Sequence, residues 1–207
     1  MTIITKGAEG SIVIKDGEVI FQQNKCNLPN YDVFDEKRYF KSGKFPSVFS
    51  LNIKGEKVKI GVQVCEDLWD DNYDLKVSNI QKKNGADLII NISASPFREN
   101  KFKDRVNLVR AKVNEIKIPF LYCNLVGAQD ELVFDGSSFA LDKNGNCISQ
   151  CKSFEEDILY TDLESHSKKH IKYATKCEDL FNALCLSLIH ISEPTRLLSI
   201  SYAVFCV

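Results

Sequence analysis

The stretch VKIGVQVCEDLW, residues 58–69, decides how this chain is read. A β-type run from Val58 to Val64 delivers Cys65 and breaks at once into Glu66 and Asp67. A thiol at the end of a buried strand, followed by a turn with free backbone N–H groups, is how several enzyme folds present a nucleophile. The plainer alternative makes Cys65 one more small buried residue, as most free cysteines are. One count bears on the choice: the three histidines, His166, His170 and His190, all lie after residue 165. The segment that looks most like a folded domain holds none. A catalytic Cys65 would then depend on a carboxylate, or on a lysine with a shifted pKa, rather than on imidazole.

Composition sets the outer limits. A chain of 207 residues with 44% hydrophobic content and a net charge of −1 suits one good-sized soluble domain, with room for a piece of another. It has no basic excess that would point to nucleic acid or an anionic membrane. The eight cysteines form no C-x-x-C pair, and Cys147 and Cys151 stand far from any histidine, so neither a disulfide framework nor a metal site is expected. The N-terminus lacks the pattern of a signal peptide. The reading is a reduced, cytoplasmic protein.

Working outward from Cys65, Asp16-Gly17 between two apolar runs marks a hairpin over residues 9–22. Strands are expected at 48–53 and 58–64, with Lys54 to Glu56 as the turn. A helix fits 74–84, and the apolar run 86–92 reads as a strand covered on both faces. Phe102, Val106, Val109 and Val113 give residues 100–116 helical spacing, and 119–123 is another buried strand. Strand pairs follow at 131–142 and 146–151. Alternating strands and helices make this an α/β domain.

Four blocks together resemble one family. They are KCNLPNYDVFDEKRYF (25–40), GVQVCEDLW (61–69), NISASPF (91–97) and GAQDELVFDG (127–136). In this order they are similar to the carbon–nitrogen hydrolase (nitrilase-like) glutaminase domain of glutamine-dependent NAD+ synthetases, over about residues 8–185. The resemblance implies an α-β-β-α sandwich and a Glu-Lys-Cys triad that hydrolyses L-glutamine to glutamate and ammonia. By motif position Cys65 is the nucleophile and Lys25 the triad lysine, which stabilises the oxyanion and lowers the thiol pKa. The Glu66 N–H is the natural oxyanion donor, and Tyr31, Ser95 and Lys101 match positions that hold the substrate. Glu36 and Arg38 are read as a pair bracing the Lys25 loop, and Asp130, Glu131 and Asp135 as turn residues without a catalytic role. Each assignment has a bland counterpart: Lys25 as a solvated loop lysine, Tyr31 as loop packing, Ser95 as a turn residue before Pro96.

Two departures qualify the resemblance. Only 24 residues precede Lys25, and besides the hairpin acids the one candidate is Glu9, in no matching context. The expectation is a sandwich lacking its first strands and its general base, with negligible glutaminase activity alone. Residues 1–163 form this partial domain, and 164–185 a linker and lead-in helix toward a missing synthetase domain. Residues 186–207 are a non-native tail that reads like a translated sequencing adapter. No cofactor is expected in this piece; ATP, Mg and deamido-NAD+ belong to the missing domain, and the full-length protein is expected to be a homo-oligomer. A stand-alone amidase acting on another small amide, and a catalytically dead scaffold, are the rival readings.

Overall fold

The computed structural model describes residues 2–5, 8–163 and 169–192. Strands β1 (Thr2–Thr5), β2 (Ala8–Lys15) and β3 (Glu18–Asn24) make an antiparallel three-stranded sheet in that order. The expected hairpin is β2–β3. Asp16 and Gly17 both take positive φ, 52° and 83°, as a two-residue turn matched to strand twist requires.

A short helix, α1 (Glu36–Tyr39), interrupts the long loop that follows. Then come β4 (Val48–Ile53), β5 (Glu56–Val64), α2 (Val77–Lys83), β6 (Leu88–Ser93), α3 (Lys101–Ile116) and β7 (Phe120–Asn124). After these, β8 (Val126–Gln129) pairs with β9 (Leu132–Asp135), and β10 (Phe139–Leu141) with β11 (Cys147–Gln150). Helix α4 spans Lys176–Ser192. The six-stranded sheet runs β11-β10-β7-β6-β5-β4, and its central strands β5, β6 and β7 are parallel. Parallel neighbours need crossovers, which α2 and α3 supply.

Alternation along the strands separates two cores. Ile60, Val62 and Val64 of β5 pack with Leu88, Ile90 and Ile92 of β6 on one face, where Val13 of β2 joins them. The intervening Ile89 lies on the other face with Val106, Val109, Val113 and Ile116 of α3. The result is a helix layer, a six-stranded sheet and a second sheet, the α-β-β part of the sandwich expected from the resemblance.

Several expectations change. The run after residue 125 holds two separate pairings, because β9 leaves the main sheet to pair with β8 while β10 enters it. Part of the supposed linker is tied down: the Lys169 N–H donates to the Cys147 carbonyl (2.8 Å), and the Lys172 N–H to Gln150 Oε1 (2.8 Å). Helix α4 continues past residue 185 to Ser192, where the reading placed a non-native tail. Residues 193–207, like His166 and Lys168, lie outside the described residues. Among the described residues, no helix is long and apolar enough to cross a membrane.

Candidate active site

Cys65 stands where β5 ends, the first residue of a single 3-10 turn, Cys65–Asp67. Its φ of 42° lies in the left-handed region that non-glycine residues avoid. The neighbours over-determine that conformation. Asp67 accepts the Val64 N–H at 3.0 Å, the Leu68 N–H bonds the Cys65 carbonyl at 3.2 Å, and Asn91 Nδ2 reaches the same carbonyl at 3.4 Å. The Glu66 N–H is not among the amides so used, which fits its expected place beside a developing oxyanion.

Lys25 follows β3, with its side chain 1% exposed. Its Nζ lies 2.6 Å from the Glu36 carboxylate and 3.2 Å from Glu9 Oε2. Burial alone would depress the lysine, but Cys65, Glu9 and Glu36 outweigh it and raise its pKa above the ordinary value. The ammonium is therefore permanent at any neutral pH. Glu9, Lys25, Glu36 and Cys65 all line one cavity of about 950 Å³, together with Ser93 and Asn124.

Two readings are corrected here. Glu36 braces Lys25 directly and not through Arg38, which pairs at the surface with Asp35 (3.7 Å). Glu9, given no part by its sequence context, is the second carboxylate on the lysine. The β2–β3 hairpin places it there: the Lys25 N–H donates to the Glu9 carbonyl at 2.8 Å, so the two residues are neighbours across the end of the hairpin.

Electrostatics modify the expected role of the lysine. Burial pushes the Cys65 thiol up, Lys25 pulls it down, and Glu66, Glu9 and Glu36 push it up again, with the net shift upward. The resting thiol is thus protonated near neutrality, and attack on a carbonyl has to proceed with proton transfer.

On the other side of Cys65, the buried Glu66 carboxylate accepts the Tyr31 hydroxyl at 2.8 and 2.9 Å and the Tyr73 hydroxyl at 3.1 Å. Tyr73 escaped the sequence reading, since nothing in its local pattern separates it from a packing aromatic. The Tyr31 proton is committed to Glu66, so any contact from Tyr31 to a ligand would use its ring or an oxygen lone pair. Lys101 caps this side with its Nζ 3.9 Å from the Trp69 ring centroid. Burial, Arg98 and Arg105 lower its pKa.

Ser95 is buried (3% exposed) and does not line the cavity. Its N–H donates to Asn124 Oδ1 at 2.9 Å, and its carbonyl accepts Arg105 and Asn124 at 3.4 Å. The cavity wall beside it is built by Ser93 and Ala94. Arg105 in turn forms a buried ion pair with Asp135, which also accepts Ser137 Oγ at 3.2 Å. Asp135 is therefore a buried charge partner and not a turn residue. A second buried pair, Lys112 with Asp70, anchors the turn that follows Trp69.

Comparison with known proteins agrees with this geometry. A family profile for carbon–nitrogen hydrolases matches residues 6–173. The glutamine-dependent NAD(+) synthetase of Thermotoga maritima is 42% identical over 152 residues, which is 73% of this chain and 25% of that relative. The synthetase of Acinetobacter baylyi is 39% identical over 160 residues, 77% of this chain and 28% of the relative. Among solved structures, the glutamine-dependent NAD+ synthetase of Acinetobacter baumannii in complex with ADP superposes with a TM-score of 0.77 at 32% identity, covering 93% of this chain and 36% of that one. The chain thus spans about a quarter to a third of the length of the relatives it matches. A parallel-stranded α-β-β core, a cysteine held at positive φ where β5 ends and a lysine clamped by two glutamates, with the match over residues 6–173, place this chain in the carbon–nitrogen hydrolase family.

Proposed function

We propose that this chain is the glutamine amidohydrolase portion of a glutamine-dependent NAD+ synthetase, with Cys65 as the nucleophile. The observation that carries the reading is the Lys25 ammonium, buried beside Cys65 in one cavity and kept charged by Glu9 and Glu36. The thiol sulfur attacks the side-chain amide carbon of glutamine, and its proton leaves through a carboxylate to the departing nitrogen. Ammonia is released and a thioester remains on Cys65 until water hydrolyses it to glutamate. Lys25 and the Glu66 N–H stabilise the oxyanion formed on the way. Tyr31 and Lys101, both close enough to Cys65 to interact with its charge, hold the amino-acid end of the substrate.

Of the carboxylates that line the cavity, the two beside Lys25, Glu9 and Glu36, are engaged with its ammonium, so neither is a free base for the thiol proton. Removing one member of a catalytic triad costs orders of magnitude in rate. Turnover of glutamine by this chain alone is accordingly negligible in this reading. In the whole enzyme the ammonia would amidate deamido-NAD+ in a separate domain that uses ATP and Mg, within a homo-oligomer. The names of the relatives support the assignment to a glutamine-dependent NAD+ synthetase.

Alkylation tests the reading without needing turnover. A diazo-ketone analogue of glutamine should modify Cys65 alone, as mapped by peptide mass spectrometry. Equal modification of several cysteines would sink it. Preferential labelling by a short aliphatic haloamide over the glutamine analogue would instead favour a stand-alone amidase.

A further inference from the structure

The Asp67 carboxylate is fully buried (0% exposed) and bridges two stretches of backbone that are remote in sequence. One oxygen accepts the N–H groups of Cys26 and Asn27, both at 2.9 Å; the other accepts the Val64 N–H at 3.0 Å. Lys25 comes immediately before the first pair and Cys65 immediately after Val64. No cation pairs with Asp67 among the described residues, and it does not line the cavity. Its charge is met by three backbone dipoles, the compensation a buried carboxylate requires. Burial still prevails over those bonds and pushes the group up to about 6.

We propose that Asp67 is a positioning residue that fixes the Lys25 ammonium relative to the Cys65 sulfur by tying the backbone after one to the backbone before the other. The inference rests on the reading of Cys65 and Lys25 as a reacting pair. An acceptor-only side chain is required here, because an amide NH2 at position 67 would confront a backbone N–H instead of accepting from it. Once one strap is released, Lys25 and the two glutamates that clamp it can shift together relative to Cys65. The attraction that opposes the rise of the thiol pKa then weakens with distance.

The experiment follows alkylation of Cys65 by iodoacetamide against pH, in the full chain, for wild type, Asp67→Asn and Val109→Ala. The last variant opens a cavity in the remote core and controls for lost stability. The Asp67→Asn midpoint should move up by about one pH unit, a roughly tenfold slower reaction at a given pH below it. The Val109→Ala midpoint should stay in place. A folded Asp67→Asn protein whose profile superimposes on wild type overturns the proposal.

If Asp67→Asn does not fold, hydrogen exchange on the wild type decides. Amides of Cys26, Asn27 and Val64 should share one slow rate. Exchange at Cys26 and Asn27 that is orders of magnitude faster than at Val64 overturns the tie. Failure of the glutamine diazo-ketone to label wild-type Cys65 sinks the active-site reading itself. Labelled wild type with superimposed profiles sinks the positioning role alone.

Discussion

Lys25 and Glu36 form a close buried ion pair: the ammonium lies 2.6 Å from the carboxylate, with side-chain exposures of 1% and 15%. Glu9 adds a second carboxylate at 3.2 Å. One ammonium cannot neutralise both, and in a poorly solvated cavity the excess negative charge is relieved by a proton. Burial, opposed by Lys25 and reinforced by Glu9, pushes Glu36 up to about 7.

That shift has a definite sign. Folded Glu36 holds its proton more tightly than the unfolded chain, whose carboxyl ionises near 4.5. Stability contributed by this group is present below pH 4.5 and is lost as pH rises to about 7. Thermal melts of wild type and Glu36→Gln across this window should converge at the acid end and separate toward neutrality, with the wild type falling more steeply. Parallel curves would contradict the clamp.

Arg105 and Asp135 give a second test. Both are buried, at 0% and 3% side-chain exposure, and Arg105 also reaches the Ser95 carbonyl. Arg105→Met leaves an unpaired carboxylate in the core and should cost about 3–5 kcal/mol in urea denaturation. Arg105→Lys should recover only part of this, because an ammonium cannot reproduce the guanidinium fork. A loss within the range of surface substitutions would show the pair to be dispensable.

Gly61 is expected to tolerate no side chain. A Cβ there would stand 2.7 Å from Gln81 Cδ, and Gln81 cannot retreat because it bonds Gln63, the Val62 carbonyl and the Ser47 carbonyl. Gly61→Ala should destabilise by about 1–3 kcal/mol through overpacking. The same replacement at Gly17, where nothing lies within 4 Å, meets only its φ of 83° and should cost about 1 kcal/mol. Chemical denaturation of the two variants checks the ranking.

Burial raises the pKa of Glu66, and the hydroxyl groups of Tyr31 and Tyr73 oppose that rise by donating to the carboxylate. Tyr73→Phe removes the donor at 3.1 Å, so the Glu66 pKa should rise further. A carbon-13 titration of labelled glutamate would read this directly. An unmoved Glu66 resonance would mean that Tyr31 alone suffices.

How much of this was legible in the sequence depends on the range of the interactions involved. The strand 48–53 and the helix over 100–116 were readable because their apolar spacing is local, and the turns at Asp16-Gly17 and Lys54-Gly55 because glycine accepts the positive φ that each requires. Cys65, Lys25 and Glu36 were reachable through motif blocks. Glu9 was not, since its site role exists only through the β2–β3 pairing, which brings a residue 16 positions away back to Lys25. Asp135 and Tyr73 failed for the same reason: an acid before a glycine reads as a turn, and a tyrosine in a polar loop as packing, until Arg105 and Glu66 are placed beside them. Strand β8 was missed because Val126 to Gln129 is too short and too polar to announce itself.

The left-handed backbone at Cys65 has one more consequence. A cysteine at φ 42° is strained, and glycine is not. The position proposed for the nucleophile therefore weighs against the durability of the fold, so Cys65→Gly, which removes the thiol, should give a protein that resists heat better than its parent. Reactivity and longevity are set against each other at a single Cα.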